Sequence, residues 1–195
     1  MKKTLVFAAA AALGLAGCAT TGGPAVQYQD TRQAEQLTGS FGRTDLQLVA
    51  EQMVQSLVAD PVVQGRPIVV IATVRNKTSE EIDTKALTDK IRVALIKSGK
   101  VQFLAAESRD EQMAERDYQQ ASGNVDAATA AEQGKERGAK YQLTGEVVSI
   151  VKRTADRKDV YYKFTLNLVN LTTGVIDWAD EKEISKLVTR RSVGM

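Results

Sequence analysis

The sequence predicts an α/β fold of the α+β kind: one domain in which a mixed sheet is flanked by helices, in the order αβαβααβββ. Three observations predict it. The β-branched run Ile68-Val69-Val70-Ile71-Ala72-Thr73-Val74 precedes a helical pattern and a short apolar run, as in a parallel strand–helix–strand crossover. The last third of the chain alternates apolar and polar residues in three runs divided by turns, the pattern of an antiparallel meander. And 195 residues, 43% of them hydrophobic, suffice for one core and a tail but not for two full domains.

The elements follow in order. Thr44 and Gln47 form a capping-box pattern, and Leu46, Val49, Ala50, Met53, Val54 and Leu57 share one helical face that Asp60-Pro61 ends. The run over 68–74 reads as a strand buried on both faces. Asp83 or Thr84 caps a second helix with Leu87, Ile91 and Leu95 on one side, closed by Ser98-Gly99, and residues 101–104 form a short strand. Ser108 and Glu111 cap a third helix, which Gly123-Asn124 breaks. An Ala-rich fourth helix is expected to end near Gly134 to Gly138. Residues 141–151 are a strand; Val160, Tyr162, Phe164, Leu166 and Leu168 alternate on the next; Thr172-Thr173-Gly174 turns into the last, 175–184.

What the sequence lacks restricts its chemistry. With 0 His and 1 Cys there is no Ser-His-Asp or Cys-His triad, no His-ligated metal and no intramolecular disulfide. Neither a P-loop nor a dinucleotide fingerprint is present, so no cofactor is expected, and the reading is a binding protein rather than an enzyme. Residues 1–17 open with Met1-Lys2-Lys3, run apolar from Leu5 to Ala16 and end in small residues, as an export signal does; the apolar stretch is shorter than the roughly 20 residues of a bilayer span. Lys2 and Lys3 supply two of the 26 basic side chains, so cleavage leaves 24 against 24 acidic ones. A neutral mature chain has no general attraction to nucleic acid, and none is expected as a partner. Residues 18–43, rich in Gly, Thr, Gln and Ser, read as a tether with a typical span of about 25–30 Å. The globular domain is then 44–195.

Two regions are candidate binding surfaces. Arg75, Asn76, Lys77 and Thr78 sit where the first strand ends, the usual position of a site in an open α/β sheet, although a solvated turn braced by Asn, Thr and Ser fits the same residues. Tyr161 and Lys163 lie opposite Tyr162 and Phe164 on their strand, as solvated residues or as an exposed contact surface. Asp177, Asp180, Glu181 and Glu183 flank Trp178, and alternation divides them between two faces. That fits a charged strand edge better than a glycosidase acid/base pair, and Trp178 reads as core.

Leu15-Ala16-Gly17-Cys18 resembles the lipobox of bacterial lipoproteins at all four positions. The resemblance implies a diacylglycerol thioether on Cys18, cleavage after Gly17 and acylation with fatty chains such as palmitate. Ala19 follows in place of the Asp of inner-membrane retention, which implies an outer-membrane anchor facing the periplasm. Further on, Val74-Arg75-Asn76-Lys77-Thr78, Ile82-Asp83-Thr84, Ile91-Arg92-Val93-Ala94-Leu95, Ser98-Gly99-Lys100, the block from Gly138 to Gly145 and the block from Leu168 to Trp178 are together similar to the LpoB-type penicillin-binding protein activators. That resemblance implies a domain like the amino-terminal domain of TolB. It implies a non-catalytic lipoprotein that docks on a bifunctional peptidoglycan synthase, a class A penicillin-binding protein, and stimulates wall synthesis and so cell-shape maintenance. The family loop commonly reads Asn-Arg-Thr; Lys77 keeps the charge without the planar guanidinium fork. The best-known members carry a long Pro-rich tether, whereas residues 18–43 hold one proline, Pro24. The short tether favours a second reading, an assembly lipoprotein of an outer-membrane complex of the secretion or curli type.

Overall fold

The computed structural model describes residue 30 and residues 38–189. The expected export signal, Cys18 and most of the expected tether lie outside the described residues. Helix α1 (Arg43–Ala59) begins just before the expected cap. Gly42 N donates to the Asp45 carboxylate at 2.8 Å, so Asp45 rather than Gln47 closes its first turn. A 3₁₀ turn, Pro61–Val63, leads into strand β1 (Ile68–Asn76), which helix α2 (Thr84–Lys97) joins to strand β2 (Gln102–Phe103). A second 3₁₀ turn, Ala106–Ser108, precedes helix α3 (Arg109–Ala121). Three long strands complete the chain: β3 (Tyr141–Arg153), β4 (Arg157–Asn170) and β5 (Ile176–Thr189).

The five strands form one mixed sheet in the order β2-β1-β3-β4-β5. β1 pairs in parallel with β2 and β3, as the crossover pattern requires, and β3, β4 and β5 are an antiparallel meander. Helices α1 and α2 pack on each other and on one face. Val49, Met53 and Leu57 of α1 and Leu87, Ile91 and Leu95 of α2 meet Val69, Leu143, Val147, Tyr162, Phe164, Leu166 and Leu168, all buried. Burying Phe164 alone contributes on the order of 2–3 kcal/mol. Gly145 belongs to this face, and it permits the close approach of β4: a Cβ there would lie 2.2 Å from the Thr165 carbonyl oxygen.

Two expectations are corrected, for β1 and for the fourth helix. β1 is not buried on both faces: Val70 and Ala72 are half-buried and Thr73 is exposed, because no described helix covers the second face. Helix α3 contributes no buried residue. The Ala-rich fourth helix does not form. Asp126 closes one turn instead, its carboxylate accepting from Ala128 N at 3.0 Å and its carbonyl from Ala130 N at 3.1 Å. Alanine favours a helix, but a segment with Val125 as its one large apolar residue has nothing to bury, and short unpacked helices are marginal in water.

Packing also reaches further upstream than Thr44. The Phe41 ring lies 5.8 Å from Tyr162 and 5.1 Å from Phe164, centre to centre. Phe41 N donates to the Glu80 carboxylate at 3.0 Å, and the same oxygen accepts from the Tyr162 hydroxyl at 2.7 Å. Lys186 Nζ donates to Ser40 O at 2.7 Å and pairs with the buried Asp45.

Candidate functional site

The face turned away from α1 and α2 is where the candidate residues meet. Strand register sets them in rows. Arg75 stands opposite Glu146, Glu146 opposite Thr165, and Thr165 opposite Glu181. The next row is Val148, Lys163 and Glu183, and the one after it Ile150, Tyr161 and Ser185. Arg75, Tyr161 and Lys163, far apart in sequence, thus share one surface.

A bulge makes this possible. Between Ile71, paired with Leu143, and Val74, paired with Gly145, β1 carries one residue more than β3. Strict alternation from Val69 and Ile71 sends Arg75 toward the core; the extra residue sends Val74 there instead and turns Arg75 outward.

The charges on this face are paired across strands. Lys77 Nζ lies 2.7 Å and Arg75 Nη2 3.5 Å from the same Glu146 oxygen. Lys163 Nζ lies 2.8 Å from Glu181, and the Tyr161 hydroxyl donates to Glu183 at 2.6 Å. The Lys77 hydrogen bond holds the Glu146 carboxyl below the usual carboxylate range. The Glu181 carboxylate raises Lys163, and the hydrogen bond to Glu183 raises Tyr161. All of these groups are solvated, so the pairs orient side chains more than they stabilise the fold.

Asn76 and Thr78 have a different task. Asn76 Nδ2 donates to Glu80 O at 2.8 Å, and Asn76 Oδ1 accepts from Thr78 N at 2.9 Å and from its hydroxyl at 2.8 Å. Both side chains brace the loop from within, which leaves Arg75 and Lys77 as the outward groups of the four candidates. Asp83 is the cap of α2, accepting from Ala86 N at 2.9 Å, and the Thr84 hydroxyl donates to Val74 O at 2.8 Å.

The acidic residues near Trp178 are dispersed, as alternation requires. Asp177 accepts from Asn170 at 3.1 Å, Asp180 from the Glu181 amide at 2.8 Å, and Glu181 and Glu183 are held by Lys163 and Tyr161. Trp178 is buried, its Nε1–H donating to Ser56 Oγ at 3.3 Å. The sequence reading did not single out Glu146, which joins Arg75 to Lys77. Its signal was there: it is the one charged residue of the run 141–151.

The family model described as peptidoglycan-synthase activator LpoB matches residues 45–184. No curated protein matches the chain. Similar solved structures include the LpoB C-terminal domain from Escherichia coli, 21% identical, covering 73% of this chain and 99% of that one with a TM-score of 0.44. The LpoB C-terminal domain from Salmonella enterica is 16% identical over 72% of this chain and 98% of that one, TM-score 0.45. The solution structure of E. coli LpoB is also 16% identical, covering 92% and 88%, TM-score 0.43.

Proposed function

Since the chain belongs to the LpoB family of peptidoglycan-synthase activators, we propose that it docks on a class A, bifunctional synthase through the uncovered face of its sheet. The family's activators are non-catalytic, so the domain acts by binding. The observation that carries the reading is that the match extends over residues 45–184, from the first turn of α1 into β5. The choice of face is supported by the rows of Arg75, Glu146, Lys163 and Tyr161, whose cross-strand pairs present alternating charge to a partner while the opposite face is filled by helices.

In this reading Cys18 carries lipid and holds the protein on the outer membrane, facing the periplasm. With packing already under way at Gly39, about 20 residues remain as tether, with a typical span near 25 Å. Contact is then made close to the outer membrane, by a part of the synthase that stands well out from the inner one. The test is reconstitution: the chain without its export signal is added to a class A synthase of its own organism polymerising lipid-linked precursor. A several-fold rise in rate with measurable binding is expected, and absence of binding to every such synthase would refute the assignment of partner.

A further inference from the structure

The β3–β4 hairpin, with β5 beside it, runs past β1 and β2. β1 ends at Asn76, opposite Val147, and beyond it only β3, β4 and β5 continue among the described residues, to the pairs Arg153–Lys158 and Arg157–Thr189. This projecting tip carries Lys152, Arg153, Arg157 and Lys158 against Asp156 and Asp159. Asp156 is engaged by Arg157 at 3.6 Å and by the Thr154 hydroxyl at 3.0 Å, and Asp159 accepts from Ser185 at 3.4 Å. Lys152, Arg153 and Lys158 make no ion pair among the described residues.

The same tip exposes apolar side chains. Ile150 is 56% and Leu187 63% accessible, on the face that also bears Tyr161, and Val151 and Val188 lie on the other face of the tip, on the side of Arg153 and Lys158. A depression of about 430 Å³ lies between the basic residues, lined by Arg153, Thr154, Ala155, Arg157, Lys158 and Val188. The chain enters the domain here: a Cβ on Gly39 would meet Val188 Cγ2 at 2.8 Å and Lys158 Cδ at 3.9 Å. Cys18 precedes Gly39 by 21 residues.

We infer that the β3–β4 tip is a membrane-surface contact that takes anionic phospholipid headgroups. Lys152, Arg153, Arg157 and Lys158 meet the phosphates, and Ile150 and Leu187 reach the acyl boundary. Cations beside exposed apolar residues are what an interfacial contact requires, whereas an anionic glycan or nucleic acid gives Leu187 and Ile150 nothing to enter. The choice of a membrane rests on the lipid-anchor reading, which holds this end of the domain near the bilayer. An anchored domain needs only a weak second contact, because the tether keeps the tip's effective concentration at the surface high.

The test uses residues 19–195 without lipid, sedimented with vesicles of phosphatidylglycerol and phosphatidylethanolamine or with vesicles of phosphatidylcholine alone. Binding to the anionic vesicles only, weakening with salt, is expected. Arg153→Gln with Lys158→Gln is expected to lower it roughly fivefold per cation removed, and Leu187→Ser to lower it further, with melting temperature retained. Equal binding to both vesicles, no binding to the anionic ones, an unaffected double variant, or binding to isolated sacculi in place of vesicles would each overturn the inference. Palmitate labelling of Cys18 in cells reads the anchor separately. A labelled Cys18 with inert vesicles therefore defeats the tip alone, and an unlabelled Cys18 with anionic binding defeats the anchor alone.

Discussion

Arg75 and Glu146 face each other on the open side of the sheet because β1 carries one residue more than β3 between Ile71 and Val74. The bulge is a matter of register, yet it decides the chemistry of the surface. It turns outward a guanidinium that an uninterrupted strand would bury, and it brings Lys77 within 2.7 Å of the same carboxylate.

Arg75→Ala is expected to weaken synthase binding by about 1–3 kcal/mol, the range of interface residues that matter. Stability should change by no more than about 0.5 kcal/mol, because the side chain is exposed and its ion pair solvated. Calorimetric titration and thermal melting of the same variant check both halves. A melting loss with unchanged affinity would move the docking surface elsewhere.

Asn76→Ala should behave differently, since three hydrogen bonds inside the loop end on its side chain. A loss of about 1–2 kcal/mol of stability is expected, comparable with the roughly 1 kcal/mol for removing the cap in Asp83→Ala. Urea denaturation of the two variants beside Arg75→Ala distinguishes brace and cap from contact residue.

Gly145→Ala is expected to cost about 3 kcal/mol or more. The added methyl would lie 2.2 Å from the Thr165 carbonyl oxygen and 2.6 Å from Leu166 Cδ2, and a backbone oxygen in a strand pair cannot swing aside. Chemical denaturation measures the loss. A near-neutral result would mean that β3 and β4 are not so closely set at this pair.

Phe41→Ala should lower stability by about 2–3 kcal/mol, although Phe41 belongs to a stretch that composition alone reads as tether. Protease protection of residues 38–42 provides a second measure. Cleavage at Phe41 in the folded protein would place the start of packing at α1.

Alkaline pH probes the same contact. Burial, with the Glu80 carboxylate as second cause, pushes the Tyr162 hydroxyl up from the ordinary value of 10.0. The folded protein therefore holds this proton more tightly than the unfolded chain. Its contribution is fully present below pH 10 and is lost as pH rises above that value toward the folded pKa. Melting temperature should fall above pH 10 with a slope that Tyr162→Phe reduces, and tyrosinate absorbance should show a late-ionising tyrosine that Tyr162→Phe removes.

Period and punctuation made most of the fold legible. Alternation in Val160 to Leu168 identified the buried side of β4 and hence the exposure of Tyr161 and Lys163, and Asp83 announced the start of α2. What stayed hidden depends on partners distant in sequence. The bulge is defined only against β3, so no reading of 68–76 alone aims Arg75 outward. Phe41 is one ring among polar residues, and its burial needs Tyr162 and Phe164, more than 100 positions later. The Ala-rich segment misled because propensity was visible while the missing apolar face was given too little weight. Asn76 was indistinguishable from its neighbours, since a bracing amide and a contact amide look alike until their hydrogen bonds are seen.

The fastening of residues 39–42 has a mechanical consequence. A pull applied to the chain upstream of Gly39 does not arrive at the free end of α1. It is divided among the Glu80 carboxylate, the Tyr162 hydroxyl, the Phe41 ring and the Lys186 ammonium, which belong to a loop, to β4 and to β5. The load enters the middle of the meander through several links in parallel, and no single one must carry it. A domain fastened in this way resists unravelling from its amino-terminal end.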